Sequence, residues 1–180
     1  IFTATRFAAW RQFGFRPSMR QLTLSYTFDN NRHLQFGYRR KSLDVNLQKI
    51  SEVASDRRLL HHLNRWSPEV VIGFPSSVHE LCVSLNRHSQ VIHGVKLVIL
   101  GSENLLDYQL ESIKKTFKCP VFSWYGMAEM AVFAFQCPHR RGFHFLPHIG
   151  VIGEPKADDG HFEIVATKTL SDVLPINRYA

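Results

Sequence analysis

A short apolar strand, a glycine-bearing turn and an amphipathic helix recur along the middle of the chain, and this repeat is what most limits the fold. Val70-Val71-Ile72 is followed by Gly73 and Pro75, then by a helical stripe of Val78, Leu81, Cys82 and Leu85, with Ser76 or Ser77 as its cap and Glu80 placed to assist from Ser77. Val95–Leu100 meets the turn Gly101-Ser102-Glu103, and Leu106 to Phe117 has helical spacing. Val121–Trp124 runs straight into Tyr125-Gly126. Strand–turn–helix repetition implies parallel strands joined by right-handed crossovers. The fold class is therefore α/β, a mainly parallel sheet with flanking helices. Ligands of such sheets bind beyond the carboxyl ends of the strands, where Gly101–Glu103 and Tyr125–Glu129 are expected as turns.

The flanks complete the architecture. A helix is expected from about Ala4 to Phe13, ended by Gly14 and Pro17. Leu22–Tyr26 and His33–Tyr38 have strand composition. Leu43 to Asn64 reads as one helix through Leu43, Leu47, Ile50, Val53, Ala54 and Leu60, stopped by Ser67-Pro68. Beyond about Gln136 the character changes. Cys137 to Gly142 is a polar loop; Phe143–Phe145, Ile149–Ile152 and Phe162–Ala166 read as strands, and Asp158-Asp159-Gly160 as a hairpin turn. The expected division is an α/β unit over 1–136 and an antiparallel, β-rich segment over 137–180.

Composition excludes several classes. Of 180 residues, 44% are apolar and 21% charged, which suits a packed globular domain rather than a disordered chain. No uncharged apolar run is long enough to cross a membrane as a helix. Three cysteines (Cys82, Cys119 and Cys137) cannot build a disulfide framework and fit a reducing compartment, so a cytoplasmic location is expected. The net charge of +7 raises the case for nucleic acid. The basic residues are scattered, however, with Tyr38-Arg39-Arg40-Lys41 the one dense cluster, and an anionic small molecule accounts for the charge equally well.

The richest chemistry lies in Cys119 to Glu129. A strand delivers an aromatic ring, then a glycine, then an acid three residues later. The ring can face a base, and the glycine lets the backbone approach a phosphate. The carboxylate can reach a phosphate-bound Mg²⁺. A core tyrosine, a turn glycine and a surface acid would read the same. Elsewhere, Cys82 sits on an apolar stripe and reads as core, and Cys119 receives no role. Adjacent His61 and His62 point to different helix faces. Ser76 with His79 lacks a third partner and reads as a helix cap.

Tyr125-Gly126-Met127-Ala128-Glu129 resembles the Tyr-Gly-x-Thr/Ser-Glu motif of adenylate-forming enzymes. Phe74-Pro75-Ser76-Ser77 is similar to the Gly-x-Pro-Ser segment of the phenylacetate–CoA ligase family, and Gly101-Ser102-Glu103 to that family's adenine loop. Cys137-Pro138 with Gly142-x-His144 resembles its Cys-Pro…Gly-x-His segment. Leu174-Pro175-Ile176-Asn177-Arg178-Tyr179 resembles the stretch that precedes its Thr-Gly-Asp. Trp10, Gly14 and Pro17 fit the branch associated with capsular polysaccharide biosynthesis. The motifs stand in the family's order and span nearly the whole chain.

The resemblance implies part of the large N-terminal domain of an adenylate-forming ligase. Such an enzyme joins a carboxylic acid to ATP, giving acyl-adenylate and pyrophosphate, then passes the acyl group to a thiol, usually coenzyme A. Carried over, Tyr125 would stack on adenine or wall the acyl pocket, and Gly126 would admit the nucleotide. Ser102 and Glu103 would lie along the adenine, with Gly101, Met127, Ala128 and Arg178 in the nucleotide site. Glu129 would be the catalytic acid that holds Mg²⁺. Cys137 and His144 would supply two ligands of a structural Zn²⁺ completed elsewhere, with His139 and His148 as substitutes. Ala128 departs from the family, where a hydroxyl contacts the α-phosphate. The Gly-rich phosphate loop, Thr-Gly-Asp and the C-terminal lid with its lysine are missing from the sequence. The expectation is an internal fragment, inactive alone. The alternatives are a degenerate nucleotide-binding module without catalysis, a basic nucleic-acid-binding domain, and an unrelated nucleotide-sugar enzyme on a similar sheet. Acid substrate, acyl acceptor and oligomeric state are not legible.

Overall fold

The computed structural model describes residues 2–25, 34–36, 41–127, 131–137, 139, 142–146, 150–152, 156–158, 161–163 and 166–168. Helix α1 (Phe2–Gln12) leads into strand β1 (Gln21–Ser25), then β2 (Leu34–Phe36) and β3 (Ser42–Asn46). A 3-10 turn at Leu47–Lys49 opens α2 (Ile50–Ser55), followed by α3 (Arg57–Trp66), β4 (Val70–Gly73), α4 (Pro75–Arg87), β5 (Leu97–Gly101), α5 (Asp107–Phe117) and β6 (Val121–Met127). The chain continues through β7 (Ala131–Gln136), β8 (Phe143–Phe145), β9 (Gly150–Ile152), β10 (Lys156–Asp158), β11 (His161–Glu163) and β12 (Ala166–Lys168).

The main sheet has eight strands in the order β2-β3-β1-β4-β5-β6-β7-β8. Its centre, β3-β1-β4-β5-β6, is parallel. The edge strands β2, β7 and β8 pair antiparallel. Strands β9 and β12 form one separate antiparallel pair, and β10 and β11 another. In the latter, Asp158 faces His161; the expected turn at Asp159-Gly160 lies outside the described residues. The α/β sheet with an antiparallel end is thus observed.

Strands β4 and β5, at the middle of the parallel region, are buried on both faces, as a parallel sheet covered by helices requires. In β4, Val70 and Ile72 face α1 while Val71 faces α4; in β5, Leu97 and Ile99 face α1 while Val98 and Leu100 face the opposite core. The larger core joins these residues to α2–α5 through Ile50, Leu63, Leu81 and Ile113. The smaller core is aromatic, with Trp10, Phe13 and Phe15 packed on the sheet and Phe13 stacked on Phe122 at 4.6 Å. Fully burying a Leu, Ile or Phe contributes about 1.5–3 kcal/mol.

Gly14 ends α1 as expected. It adopts φ +86°; its N–H donates to the Arg11 carbonyl, and the Phe15 N–H donates to the Trp10 carbonyl. That pair of bonds is a Schellman cap, and the accompanying apolar contact is Phe15 edge-on to Trp10 at 5.2 Å.

The expected single helix from Leu43 to Asn64 needs correction. Residues 42–46 are strand β3, parallel to β1, with Leu43 and Val45 buried and Asp44 between them half-buried. Leu43 fits a period of 2 as well as one of 3.6, and Val45 decides for the strand. The remaining helical stretch is split at Asp56, whose Oδ1 accepts from the backbone N–H of Arg58 (2.7 Å) and Leu59 (3.2 Å). A second correction concerns α4. Its cap position is Phe74, with Pro75 at the first turn; Ser77 Oγ donates back to the Phe74 carbonyl. Neither Ser76 nor Ser77 is the cap.

Candidate functional site

The parallel strands end together along one rim. Gly73 of β4 lies in register with Leu100 of β5, and Gly101 of β5 with Trp124 of β6. Two clefts open along this rim, with Phe74 lining both. The first, of about 190 Å³, lies between α1 and the sheet. Arg6 and Trp10 of α1 form one wall, Thr23 and Ile72 the floor, and Gly101, Ser102 and Trp124 the far side. The second, of about 290 Å³, surrounds the start of α4, with Gln48, Ile50, Ser76, Glu80 and Glu103 on its walls.

Gly101 is there for a packing reason. A Cβ at this position would collide with the Trp124 indole, so only glycine lets that ring lie across the end of β5. Ser102 follows at φ +66°, a left-handed backbone unusual for a residue with a side chain. Strained residues of this kind cluster at functional loops. The turn then swings Glu103 to α4, where its Oε2 accepts from the Ser76 N–H at 3.1 Å. This carboxylate sits against the positive end of a 13-residue helix. It occupies the assisting role expected of Glu80.

The expected Gly101-Ser102-Glu103 turn is therefore present, with Gly101 and Ser102 on one cleft and Glu103 on the other. Tyr125 and Gly126 are not in a turn. They continue β6, paired with β7, and the register slips between them: Tyr125 faces Ala134 and Gly126 faces Val132, passing over Phe133. The bulge re-aims the strand as it leaves the sheet. Tyr125 is 42% exposed and does not line either cleft. Met127 is the last residue of β6, opposite Ala131. Ala128, Glu129 and Arg178 lie outside the described residues, as does His148.

Cys137 is buried, and its backbone N–H donates to the Gly142 carbonyl at 2.8 Å, closing the polar loop. His144 is exposed on β8, with its ring 5.6 Å from that of Phe135. Among the described residues, no group of three or more His, Cys, Asp or Glu is arranged to hold a metal. Burial pushes the thiols of Cys82 and Cys119 up to about 11, so neither is a thiolate near neutrality. Cys82 is fully buried in the larger core, as expected. His79 packs edge-on to Tyr108 at 5.3 Å, and Ser76, expected as a cap, lies inside α4 behind the Phe74 cap position.

Sequence reasoning passed over Arg6, Thr23 and the role of Trp124. Arg6 and Trp10 are one helical turn apart, and that i, i+4 spacing was the available signal for a shared wall. The Arg6 guanidinium lies 4.9 Å from the Trp10 ring centroid, a cation–π contact.

No protein-family model matches the chain, and no curated protein matches it by sequence. Solved structures do match by shape. 2-Hydroxyisobutyryl-CoA ligase in complex with 2-HIB-AMP and CoA has a TM-score of 0.66 at 15% identity, covering 93% of this chain and 43% of that one. VinN in complex with L-aspartate has a TM-score of 0.61 at 16% identity, over 93% of this chain and 43% of that one. A benzoate CoA ligase from Burkholderia xenovorans LB400 has a TM-score of 0.53 at 17% identity, over 76% and 29%. The chain spans less than half the length of each. The likeness establishes the fold: this is the α/β architecture found in these ligases.

Proposed function

We propose that the chain is part of an adenylate-forming ligase, which activates a carboxylic acid with ATP and transfers the acyl group to coenzyme A. The finer assignment is to the phenylacetate–CoA ligase family and its capsule-associated branch, in a cytoplasmic enzyme. What supports the reading most is spatial: the Gly101-Ser102-Glu103 and Tyr125-Gly126 motifs, far apart in sequence, leave the same rim of the sheet on neighbouring strands. Adenylation is mostly positioning and charge neutralisation, which such a rim can provide.

In this reading the adenine lies against the Gly101–Glu103 turn, with Tyr125 and Gly126 on its other side and Met127, Ala128 and Arg178 nearby. Tyr125 is exposed, which suits its ring to stacking on a base. Glu129 would hold Mg²⁺, which supplies charge neutralisation at the phosphates when bound. Cys137 and His144 would contribute to Zn²⁺ with ligands from elsewhere in the whole protein. Division of the chain at residue 136 and inactivity of the chain alone belong to the same proposal.

The test is pyrophosphate release by the whole protein across a panel of carboxylic acids. The proposal expects acid-dependent release that Glu129→Ala reduces by at least a hundredfold, in line with the loss of one preorganised electrostatic group. ATP binding without release would instead favour a nucleotide-binding module, the reading that Ala128 supports. Release by the 180-residue chain alone would overturn its expected inactivity.

A further inference from the structure

The two clefts on the rim differ in what they can hold. The α4 cleft carries the carboxylates of Glu80 and Glu103, which repel an anionic acid. The α1 cleft is lined mainly by apolar and aromatic groups: Leu24 and Ile72 from the sheet, Trp10 from α1, and Phe74 and Trp124 from the rim. Arg6, also on its wall, is already engaged over the Trp10 ring at 4.9 Å. A mainly apolar recess with a few polar groups is the ordinary form of a small-molecule site. Trp124 bounds this recess on its far side. Gly101 and Trp124 are register partners on β5 and β6. The indole lies over the Gly101 backbone, where a Cβ would overlap its Cε2, Nε1 and Cζ2, and both residues border the cleft. The ring is half-buried and packs against the aromatic core of Trp10, Phe13 and Phe15, so it is a fixed wall. Successive strand residues face opposite sides of a sheet. Trp124 is thus turned to the α1 side, while Tyr125, which lines neither cleft, is turned to the other.

We propose that the α1 cleft seats a carboxylic acid whose body is a single flat ring, and that the Trp124 indole sets this size limit. This rests on the ligase reading above, which brings an acid to this rim; it adds the substrate class and the residue that selects it. The carboxylate stays by the Ser102 turn, where the nucleotide is expected, and the ring lies between Trp124 on one side and Trp10 on the other. Volume supports the limit. An apolar cavity of about 150 Å³ holds benzene, so a cleft of about 190 Å³ has room for one six-membered ring and not for two fused ones. Aromatic walls favour a flat body, since ring pairs gain from edge-on or offset contact beyond the area they bury. Because the indole is itself a fused pair of rings, its removal opens space for a second ring.

The experiment is isothermal titration calorimetry of the 180-residue chain with benzoate, 1-naphthoate and 2-naphthoate, and separately with AMP. Benzoate is expected to bind about tenfold or more tighter than either naphthoate, as overpacking against a fixed wall implies. In Trp124→Ala the order should reverse. At least one naphthoate should bind about tenfold or more tighter than it binds the unsubstituted chain, while benzoate weakens through loss of a wall. If Trp124→Ala fails to fold, as judged by circular dichroism, Trp124→Leu, which keeps more of the apolar contact, decides the point, with a gain in naphthoate affinity still expected. Naphthoate binding as tight as benzoate, a preference that survives loss of the indole, or no acid binding would each overturn the inference. The AMP titration separates the two failures. AMP binding without the size preference refutes the substrate class alone. Absence of both AMP and acid binding counts against the ligase reading as well.

Discussion

Replacing Gly101 by alanine tests how the rim is built. A Cβ there would fall 2.5 Å from Nε1 and 2.6 Å from Cζ2 of Trp124, where ordinary contact begins at 3.4 Å. The indole must therefore shift by close to an ångström, or β5 must move. Strand β5 is buried at every position and pairs with strands on both sides, so the ring yields first. Overpacking of this kind costs about 1–3 kcal/mol. The upper part of that range is expected, because the clash involves rigid ring atoms rather than a flexible tip. For a chain of this size, about 2–3 kcal/mol lowers Tm by about 4–12 °C. The decisive assay is a double-mutant cycle by chemical denaturation with Trp124→Ala. Removing the indole costs packing by itself, but in its absence Gly101→Ala should cost less than about 1 kcal/mol. A coupling of at least about 1.5 kcal/mol is expected. Additive effects would refute the claim that Gly101 exists to admit Trp124.

Three further outcomes follow from the geometry. Ser102→Gly should stabilise the protein by about 1 kcal/mol in denaturant titration, because it relieves a left-handed backbone at φ +66°; destabilisation would show that the serine side chain is itself a structural partner. Asp56→Ala should cost about 1 kcal/mol, since both N–H bonds at the start of α3 end on its Oδ1, while Asp56→Asn should recover most of the loss. The third concerns acid. Glu69 is held below its ordinary value near 4.5 chiefly by the hydrogen bond from Lys96 Nζ (2.9 Å), with Arg20 adding to it. A depressed carboxylate contributes stability above pH 4.5 that is lost as pH falls through the lower folded value. Glu69→Gln should therefore flatten the decline of stability below pH 4.5; an unchanged slope would show that this pair contributes nothing.

The parallel core was legible because its signals are local and redundant. Val70-Val71-Ile72 is short, apolar and bounded by Pro68 and Gly73-Phe74-Pro75, and it can only be a buried strand in that setting. Gly14 announced the end of α1 for the same reason: few residues but glycine take φ +86°. Leu43 misled because one apolar residue satisfies two periods, and strand β3 is fixed by pairing with distant β1. Tyr125 and Gly126 were expected in a turn, since glycine after an aromatic residue suggests one. Pairing with β7 keeps them extended and absorbs the mismatch in a bulge. Glu103 shows the same limit at the site. Its residue type was notable in the sequence, but its bond to Ser76 spans 27 positions and no local pattern encodes it. Arg6 was passed over because a lone arginine on a helix is ordinarily a solvated charge, and only the fold turns it toward the sheet rim.

The central claim is that the carboxyl rim of the sheet, at Gly101–Glu103 and Tyr125–Gly126, receives a nucleotide. Backbone amide shift mapping by NMR during an AMP titration tests it most directly on this 180-residue chain. The account expects saturable shifts at Gly101, Ser102, Glu103, Tyr125 and Gly126, with the distant loop at Ser89–Gln90 unmoved. Saturable shifts confined to another face, or none at millimolar AMP, would contradict it.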